Sequence, residues 1–560
     1  MNTRRRRLLT RAAPLGGVAV LAFAAGIVWA TEPGRQERQL VTRYVTSWEH
    51  GDYARMYNLL DPASRARMTE SEFVAAYVNA ATTATLTSVV PLHVAGPSGN
   101  VITVRMRVHT RVFGTLRELL QVPFSGSGSG ARVRFASTIV FPGLRPGEQL
   151  TRTDRLPARG TLLADDGTPL AEGPNRSSPI PAVANEIVGT LGPIPSGVAS
   201  VYAAAGYPPR AKVGQDGLEL VFQQQLAGMP GGKLRAGSRV LARRAPVPGQ
   251  TVKTTIDPTI EQAAINAIGS SYAGIVAMDP KTGALLALAG IAYSAIQPPG
   301  STMKIITSTA ALGAHLVTLS SEFPVMTEAD IDGYELQNSD GEACGGTLLN
   351  AFAVSCNSVF APLGVQVGAR RLVATAQRFG FDQPSTIPGA LPSQIPSAST
   401  IGDALAVGSS AIGQGMVEAS ALEMTDVAST IADGGRRPVP TLAAGQKPKF
   451  VHVTSRGVAG DVRRMMVAVV EYGTGTSAAI PGVTVAGKTG TAELRNTVNT
   501  PNGNSAANTD AWFVGFAPAG AARIAVGALY PSAGFGAATA APAVREVMIA
   551  ALAHKLPHGV

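Results

Sequence analysis

The sequence contains few of the residues that metal, redox and nucleic-acid sites require. Of its 560 residues only two are cysteines, seven are histidines and 5% are aromatic. No basic patch is interleaved with aromatic residues, so we expect no nucleic-acid partner. No motif indicates a metal or another cofactor. Lysines are also scarce, nine in a chain of net charge +10, which makes the surroundings of each one informative.

One long apolar run lies near the N-terminus. Leu15–Ala30 contains sixteen apolar residues and follows five arginines within the first eleven positions. With residues 12–14 it approaches the roughly 20 residues that cross a bilayer, and the preceding positive charge places the N-terminus in the cytoplasm. We expect a cytoplasmic tail (1–11), a single-pass anchor (12–30) in the cell membrane and an extracytoplasmic remainder. A cleaved signal peptide is the alternative, because Val28 and Ala30 are small residues suited to a cleavage site.

Changes of periodicity divide the exported part into three predicted domains, which makes the fold multidomain α+β. Residues 35–145 read as amphipathic helices followed by half-buried antiparallel strands. Residues 147–250 are rich in proline and glycine, with short strands, and should form a β-rich non-catalytic domain. Residues 251–560 open with a strand, a helix and a β-hairpin and close with three strand-like runs. This pattern predicts an antiparallel sheet flanked by helices.

The two cysteines, Cys344 and Cys356, lie twelve positions apart in the exported part. A disulfide between them would close a short loop and contribute up to roughly 3 kcal/mol. Two unpaired thiols in a core are the alternative, and the sequence does not decide between them.

The stretch PPGSTMKIITSTAALGAHL places Ser301 and Lys304 three residues apart after a Pro-Pro-Gly turn. This spacing puts both side chains on one face of a helix, with Ser301 at its N-terminus. The apolar residues that follow predict a buried helix, and burial favours the neutral form of a lysine amine. An amine of this kind can accept a proton from the neighbouring hydroxyl.

Two further motifs accompany this pair. Ser355-Cys356-Asn357 offers a hydroxyl and an amide, and Lys488-Thr489-Gly490, followed by Thr491, offers a cation and hydroxyls on a strand edge. The S-x-N and K-T-G patterns each occur a second time in the sequence, and we call these second copies decoys. Ser98-Gly99-Asn100 and Lys281-Thr282-Gly283 fall at predicted turns, so we expect them to have only structural roles.

With its S-x-x-K, S-x-N and K-T-G motifs the sequence resembles the class B penicillin-binding proteins, which are serine D,D-transpeptidases. The stretches PARGTLLADDGTPLAEG, AIGQGMVEAS and GKTGTAELRN also resemble signatures of this family, although Ala164 and Asp165 depart from the first of them. The resemblance extends from about residue 150 to the end. Residues 35–145 resemble the MecA-type N-terminal domain, which implies a fold similar to nuclear transport factor. The resemblance likewise implies a dimerisation-type domain at 147–250 and a transpeptidase domain at 251–560.

The resemblance implies a role for each motif residue. Ser301 would be the nucleophile, Lys304 the base and Ser355 the proton relay. Asn357, Lys488, Thr489, Gly490 and Thr491 would bind the stem peptide. The backbone N–H groups of Ser301 and Thr491 would form the oxyanion hole. β-Lactams would inhibit the enzyme covalently, and a SEDS-type glycosyltransferase in the membrane would be its partner.

Several alternatives stay open at this point: a D,D-carboxypeptidase, a serine β-lactamase, a catalytically idle scaffold and a β-lactam sensor. The β-lactamase is disfavoured because the only Leu-Asn pair, Leu349-Asn350, has Gly346 where class A enzymes carry a glutamate. For the polar stretch Arg495–Thr509 we expect a mobile loop at the mouth of the site, with an ordinary hairpin connection as the alternative. The sequence does not indicate whether the enzyme serves division or elongation, or which amine accepts the acyl group.

Overall fold

The structure, a computed structural model, describes residues 34–494 and 508–554. The predicted tail, anchor and most of the loop Arg495–Thr509 lie outside the described residues. No helix in the described ranges has the length and apolar character needed to cross a membrane.

The described chain forms two compact units. Unit 1 contains the described residues up to Ala158 together with Pro193–Lys212 and Ala227–Gly249, and unit 2 contains Arg159–Gly192, Val213–Leu226 and the described residues from Gln250 onward. The predicted non-catalytic domain, 147–250, is thus divided between the two units. The domain boundaries given by the sequence stay predictions.

Unit 1 begins with four helices that precede an antiparallel sheet of order β1-β2-β3-β4. The first helix buries the apolar face expected from its sequence, and the predicted capping box of Thr69 and Glu72 opens the fourth. The decoy at residues 98–100 lies in the turn between the first two strands. The elements are α1 (Arg35–Glu49), α2 (Tyr53–Asn58), α3 (Pro62–Arg67), α4 (Glu70–Ala84), β1 (Leu86–Ser98), β2 (Val101–Thr110), β3 (Gly114–Ser125), β4 (Arg132–Val133) and β5 (Leu150–Arg155).

The middle of the chain contains short elements. These are β6 (Leu162–Leu163), β7 (Pro169–Ala171), α5 (Pro181–Ile187), β8 (Leu191–Pro193), α6 (Ala199–Ala204), β9 (Lys212–Gly214), α7 (Gly217–Val221), α8 (Gln223–Leu226), β10 (Gly231–Ala236), β11 (Arg239–Arg244) and β12 (Val252–Lys253). Strands β11, β10 and β5 form one sheet in unit 1, and β12, β6 and β7 form another in unit 2.

A buried ion-pair network organises the part of this region that belongs to unit 2. The carboxylate of Glu219, which is fully buried, accepts hydrogen bonds of 2.6 Å from Arg159 Nε and from Arg176 Nε. Arg159 also donates to Gln223 at 2.9 Å. Next to it, a Cβ on Gly160 would lie 1.9 Å from the carbonyl oxygen of Gln250. Arg159-Gly160 in the PARG stretch therefore has a packing role, since the arginine pairs a buried charge and the glycine admits the chain of residue 250.

The rest of unit 2 is a five-stranded antiparallel sheet with helices on both faces. Alternate residues of its strand Thr509–Ala517 enter different cores: Trp512 and Val514 pack on one side, Ala511 and Phe513 on the other. The elements are α9 (Pro258–Ile268), β13 (Gly274–Met278), β14 (Leu285–Gly290), α10 (Lys304–Gly313), β15 (Glu322–Met326), β16 (Glu328–Ile331), β17 (Tyr334–Gln337), β18 (Cys344–Thr347), α11 (Leu348–Ala353), α12 (Asn357–Val367), α13 (Ala369–Phe379), α14 (Ala404–Ala411), α15 (Ala421–Ala432), β19 (Arg436–Pro438), β20 (Phe450–His452), α16 (Arg456–Glu471), β21 (Ala486–Glu493), β22 (Thr509–Ala517), β23 (Ile524–Tyr530) and α17 (Ala540–Ala553).

The sheet confirms two local predictions from the sequence. The hairpin β13–β14 turns around Asp279, and the decoy Lys281-Thr282-Gly283 lies at its tip. The three strand-like runs near the C-terminus are β21, β22 and β23, paired in antiparallel order. In the strand order β14-β13-β23-β22-β21 the last member is β21, so within residues 34–494 and 508–554 one of its edges has no strand partner.

Candidate active site

Ser301 lies in a tight turn that leads into α10. Gly300–Met303 form a single turn of 3-10 helix, and Lys304 is the first residue of α10. Gly300 has φ of 54°, a conformation that favours glycine. Its N–H donates to the carbonyl oxygen of Gly413 at 2.9 Å, and a Cβ on Gly413 would lie 2.1 Å from the carbonyl oxygen of Gly300. Gly413, the first glycine of the AIGQGM stretch, therefore packs against the turn that carries Ser301 and supports it.

Lys304 is completely buried and makes three hydrogen bonds to the second motif. Its Nζ donates to Ser355 O at 2.7 Å and to Asn357 Oδ1 at 2.7 Å, and it lies 3.3 Å from Ser355 Oγ in a third, longer contact. Within the described residues, Ser301 Oγ is not among its acceptors. Burial, and next the charge of Lys488, lower the pKa of the Lys304 amine well below its ordinary value.

Lys488 approaches the same serine from β21. Its Nζ donates to Ser355 Oγ at 2.9 Å and to Thr489 O at 3.0 Å. Burial lowers the pKa of Lys488 to about 7. Ser355 Oγ therefore bridges two lysine amines that come from different elements.

Ser355 has an unusual backbone conformation. Its φ is 63°, which is uncommon for a residue other than glycine and is typical of positions that serve a function. The next residue, Cys356, is bonded to Cys344 of β18, with the two Cα atoms 5.8 Å apart. The disulfide that the sequence left open is thus present, and it tethers the S-x-N motif to the neighbouring strand through the middle residue of the motif.

The third motif packs directly against the turn of Ser301. A Cβ on Gly490 would lie 2.7 Å from the Pro299 carbonyl oxygen, 2.8 Å from Trp512 Cβ and 3.0 Å from Thr302 Cγ2. Likewise, a Cβ on Gly300 would lie 2.8 Å from the carbonyl oxygen of Thr491. Only glycines at these two positions allow the strand edge and the turn to lie so close together.

All three motifs border one cavity of about 1740 Å³. Its lining includes Ser301, Ser355, Asn357, Thr489 and Thr491, while Lys304 and Lys488 lie fully buried behind it. The lining also includes Gln297, Glu418, the residues of β17 and Cys344 of the disulfide. The structure thus brings together the motif residues that the sequence singled out, and both decoys lie elsewhere.

One residue of the cavity had no signal that we recognised in the sequence. Thr474 lies in the segment after α16, and its Oγ1 is 2.5 Å from Thr489 Oγ1. Its N–H donates to the carbonyl oxygen of Ala353, the last residue of α11. Its position follows from how α16 packs against β21 and α11, which one motif cannot reveal.

Comparison with known proteins identifies the family. Residues 166–254 match the penicillin-binding protein dimerisation domain, and residues 273–549 match the penicillin binding protein transpeptidase domain. The chain is 34% identical over 370 residues to the peptidoglycan D,D-transpeptidase PbpA of Mycolicibacterium smegmatis. This alignment covers 54% of this chain and 73% of the relative. The chain belongs to the class B penicillin-binding proteins.

Solved structures agree with this assignment. The imipenem acyl-enzyme complex of penicillin-binding protein A from M. tuberculosis aligns with a TM-score of 0.57 and 27% identity, covering 71% of this penicillin-binding protein and 99% of that chain. The D,D-transpeptidase domain of a peptidoglycan glycosyltransferase from Eggerthella lenta aligns with a TM-score of 0.58 and 26% identity. This alignment also covers 71% of this chain and 99% of that chain. The resemblance noted in the sequence is therefore confirmed for the dimerisation and transpeptidase domains.

Proposed function

We infer that this penicillin-binding protein is a D,D-transpeptidase that cross-links peptidoglycan stem peptides through an acyl-enzyme and is inhibited covalently by β-lactams. The observation that carries the inference is the bridge from Lys304 through Ser355 to Lys488 in the cavity that Ser301 lines. It brings a nucleophile, a buried amine, a relay hydroxyl and a second amine to one place in a chain of this family. Neither histidine nor metal is part of this mechanism.

In the acylation step Ser301 Oγ attacks the carbonyl carbon of the penultimate D-alanine and gives its proton to Lys304. The hydrogen bonds of Lys304 support this role. A neutral amine has two N–H donors and one lone pair, and the two short bonds to Ser355 O and Asn357 Oδ1 use both donors. The lone pair is then left to accept a proton, as a general base requires.

Collapse of the tetrahedral intermediate breaks the peptide bond and releases D-alanine. Its nitrogen receives a proton through Ser355 Oγ, which lies between the two lysine amines. An amine of a second stem peptide then attacks the ester carbonyl, loses a proton to the same base and restores the Ser301 hydroxyl. The products are a new amide cross-link and free enzyme.

The edge of β21 is suited to hold the donor peptide. Lys488, Thr489 and Thr491 would bind its terminal carboxylate, and Asn357 would bind a backbone amide of the stem. Since the carbonyl of Thr491 faces Gly300, the N–H of the same residue points to the same strand edge, toward Ser301. This N–H and that of Ser301 would form the oxyanion hole, worth roughly 3 kcal/mol per donor.

The N-terminal part would hold the enzyme at the membrane. The arginine cluster and the apolar run at 12–30 support a signal anchor, and the disulfide supports an extracytoplasmic, oxidising location for unit 2. Four helices followed by a four-stranded antiparallel sheet support a MecA-type domain similar to nuclear transport factor at 35–145. A SEDS-type polymerase would supply the glycan strands.

Mass spectrometry after benzylpenicillin treatment tests the chemistry. We expect one penicilloyl adduct on Ser301 and none in the Ser301→Ala variant. The matched control is Ser98→Ala in the decoy motif, which should label as the native enzyme does. An adduct on any residue other than Ser301 would contradict the mechanism.

Turnover separates the alternatives. With a pentapeptide donor and an amine acceptor we expect a cross-linked dimer. Trimmed peptide alone would indicate a D,D-carboxypeptidase, and rapid release of penicilloate would indicate a β-lactamase. Labelling without turnover of any peptide would indicate a sensor or an idle scaffold.

A further inference from the structure

Thr474 contacts the third motif, although it belongs to none of the three motifs. Its side chain is half-buried and lines the cavity together with Thr489 and Thr491. Its Oγ1 lies 2.5 Å from Thr489 Oγ1, at the short end of the range for O–H···O hydrogen bonds. Thr474 therefore reaches the carboxylate-binding edge of β21 from a separate segment of the chain.

The backbone around Thr474 is fixed on both sides. A Cβ on Gly473 would lie 2.2 Å from the Ala353 carbonyl oxygen, the same oxygen that accepts the Thr474 N–H at 3.1 Å. A Cβ on Gly475 would lie 2.9 Å from Val469 Cγ1. Because small residues flank Thr474 in a tightly packed segment, its hydroxyl has little freedom to move away from Thr489.

The direction of the hydrogen bond between the two hydroxyls decides what Thr489 can bind. Each hydroxyl has one proton, and a carboxylate offers only acceptors. If Thr489 donated to Thr474, it would present a lone pair to the substrate anion and repel it. If Thr474 donates, the proton of Thr489 is free for the anion, and the two bonds polarise each other in the same direction. In the second arrangement Lys488 Nζ, 3.5 Å from Thr489 Oγ1, can donate to the other lone pair of that oxygen, and the Thr489 proton stays free for the anion.

We propose that Thr474 is a positioning and specificity-determining residue that donates to Thr489 Oγ1 and thereby fixes the Thr489 hydroxyl as a donor to the terminal carboxylate of the substrate. The proposal rests on the transpeptidase function inferred above. It deepens that function by assigning recognition of the carboxylate partly to a residue outside the K-T-G motif.

The test compares substrates with and without the carboxylate. The second-order rate of Ser301 acylation is measured with benzylpenicillin and with its methyl ester for the native enzyme, Thr474→Val and Thr474→Ser. Thr474→Val keeps the shape of the side chain but lacks the hydroxyl. We expect its acylation rate with benzylpenicillin to be about tenfold below the native rate, equivalent to about 1.4 kcal/mol. With the methyl ester its rate should stay within about twofold of the native rate. Thr474→Ser keeps a hydroxyl donor, and its acylation rates with the acid and with the ester should both stay within about threefold of the native rates.

A structural role alone would give a different pattern. Equal losses with acid and ester, an equal loss in Thr474→Ser, or no loss in Thr474→Val would each overturn the proposal. Thr474→Ala replaces Thr474→Val if the thermal unfolding midpoint of the latter is abnormal. In a variant that already carries Thr489→Val, the additional change Thr474→Val should not reduce the acylation rate with benzylpenicillin any further. If native enzyme is not acylated at Ser301 at all, the proposed function fails, whereas acylation without this selectivity contradicts only the role of Thr474.

Discussion

At the scale of single residues, burial controls the charge of the two site lysines. Lys304 and Lys488 are both fully buried, and desolvation is the first cause of the lowered pKa of each amine. Their proximity adds to the effect on Lys304, because a second positive charge beside it is unfavourable. The pKa shifts are therefore compatible with the different tasks proposed for the two amines, a base for Lys304 and a cation near neutral pH for Lys488.

These shifts predict how acylation depends on pH. In the proposed mechanism Lys304 must be neutral to accept the proton, so we expect the rate to rise with pH as this amine loses its proton. Lys488 must be charged to attract the carboxylate, and its pKa of about 7 means that charge is lost above that pH. Because the charged fraction of such an amine drops from about one half to about one hundredth, we expect the second-order rate of acylation by benzylpenicillin to fall by about 50-fold between about pH 7 and about pH 9.

The control for the pH profile is Lys281→Ala. This lysine belongs to the exposed decoy motif, and the variant should keep the shape of the native profile. A native rate that stays constant or rises over the alkaline range would show that the charge of Lys488 is not required.

At the scale of elements, the site depends on how closely the edge of β21 meets the turn before α10. Both contact surfaces are glycine backbones, Gly490 on the strand and Gly300 on the turn. A strand edge with ordinary side chains would hold the motifs further apart. The disulfide between Cys344 of β18 and Cys356 makes a different contribution, since it limits movement of the segment that carries Ser355.

Gly490→Ala should therefore impair the chemistry more than the fold. The added Cβ meets a backbone oxygen at 2.7 Å, which cannot rotate away, so β21 and the turn must separate. A displacement of about 1 Å can cost about 100-fold in rate, and we expect a loss of this order in acylation by benzylpenicillin.

Gly313→Ala is the matched control. Gly313 is the last residue of α10, and a Cβ there would meet nothing within 4 Å. We expect native acylation and equal or slightly higher stability, by up to about 1 kcal/mol. If Gly490→Ala were acylated within about twofold of the native rate, the close contact would have no role in positioning Ser301.

At the scale of the whole molecule, the described chain has separate hydrophobic cores. One cluster lies entirely within unit 1, and the clusters on the two faces of the five-stranded sheet lie entirely within unit 2. Each unit also draws on several segments of the chain. A core of its own is the physical requirement for a unit to unfold cooperatively.

Calorimetry of the whole protein should therefore resolve two unfolding transitions. Acylation by benzylpenicillin should shift only the transition of unit 2, which carries the cavity. The Ser301→Ala variant should show both transitions without the shift. A single transition, or an equal shift of both, would contradict this prediction.

Much of the local structure could be predicted from the sequence because local rules control it. The apolar face of α1, the capping box of α4, the hairpin β13–β14 and the order of the last three strands follow from periodicity, capping and turn residues. The three motifs predicted which residues meet at the cavity, because their spacings are rare in combination. The decoys could be set aside because their flanking residues indicate turns.

Only the tertiary structure decided the features that join distant parts of the chain. The sequence could not show that Ser355 Oγ lies between Lys304 and Lys488, that Cys344 is bonded to Cys356, or that Thr474 reaches Thr489. It also could not show that residues 147–250 divide between two units. Hydrophobic periodicity and helix capping depend on residues that are close together in the sequence, so the sequence alone reveals them. Hydrogen bonds and desolvation at the site depend on which segments meet in space, and packing determines that.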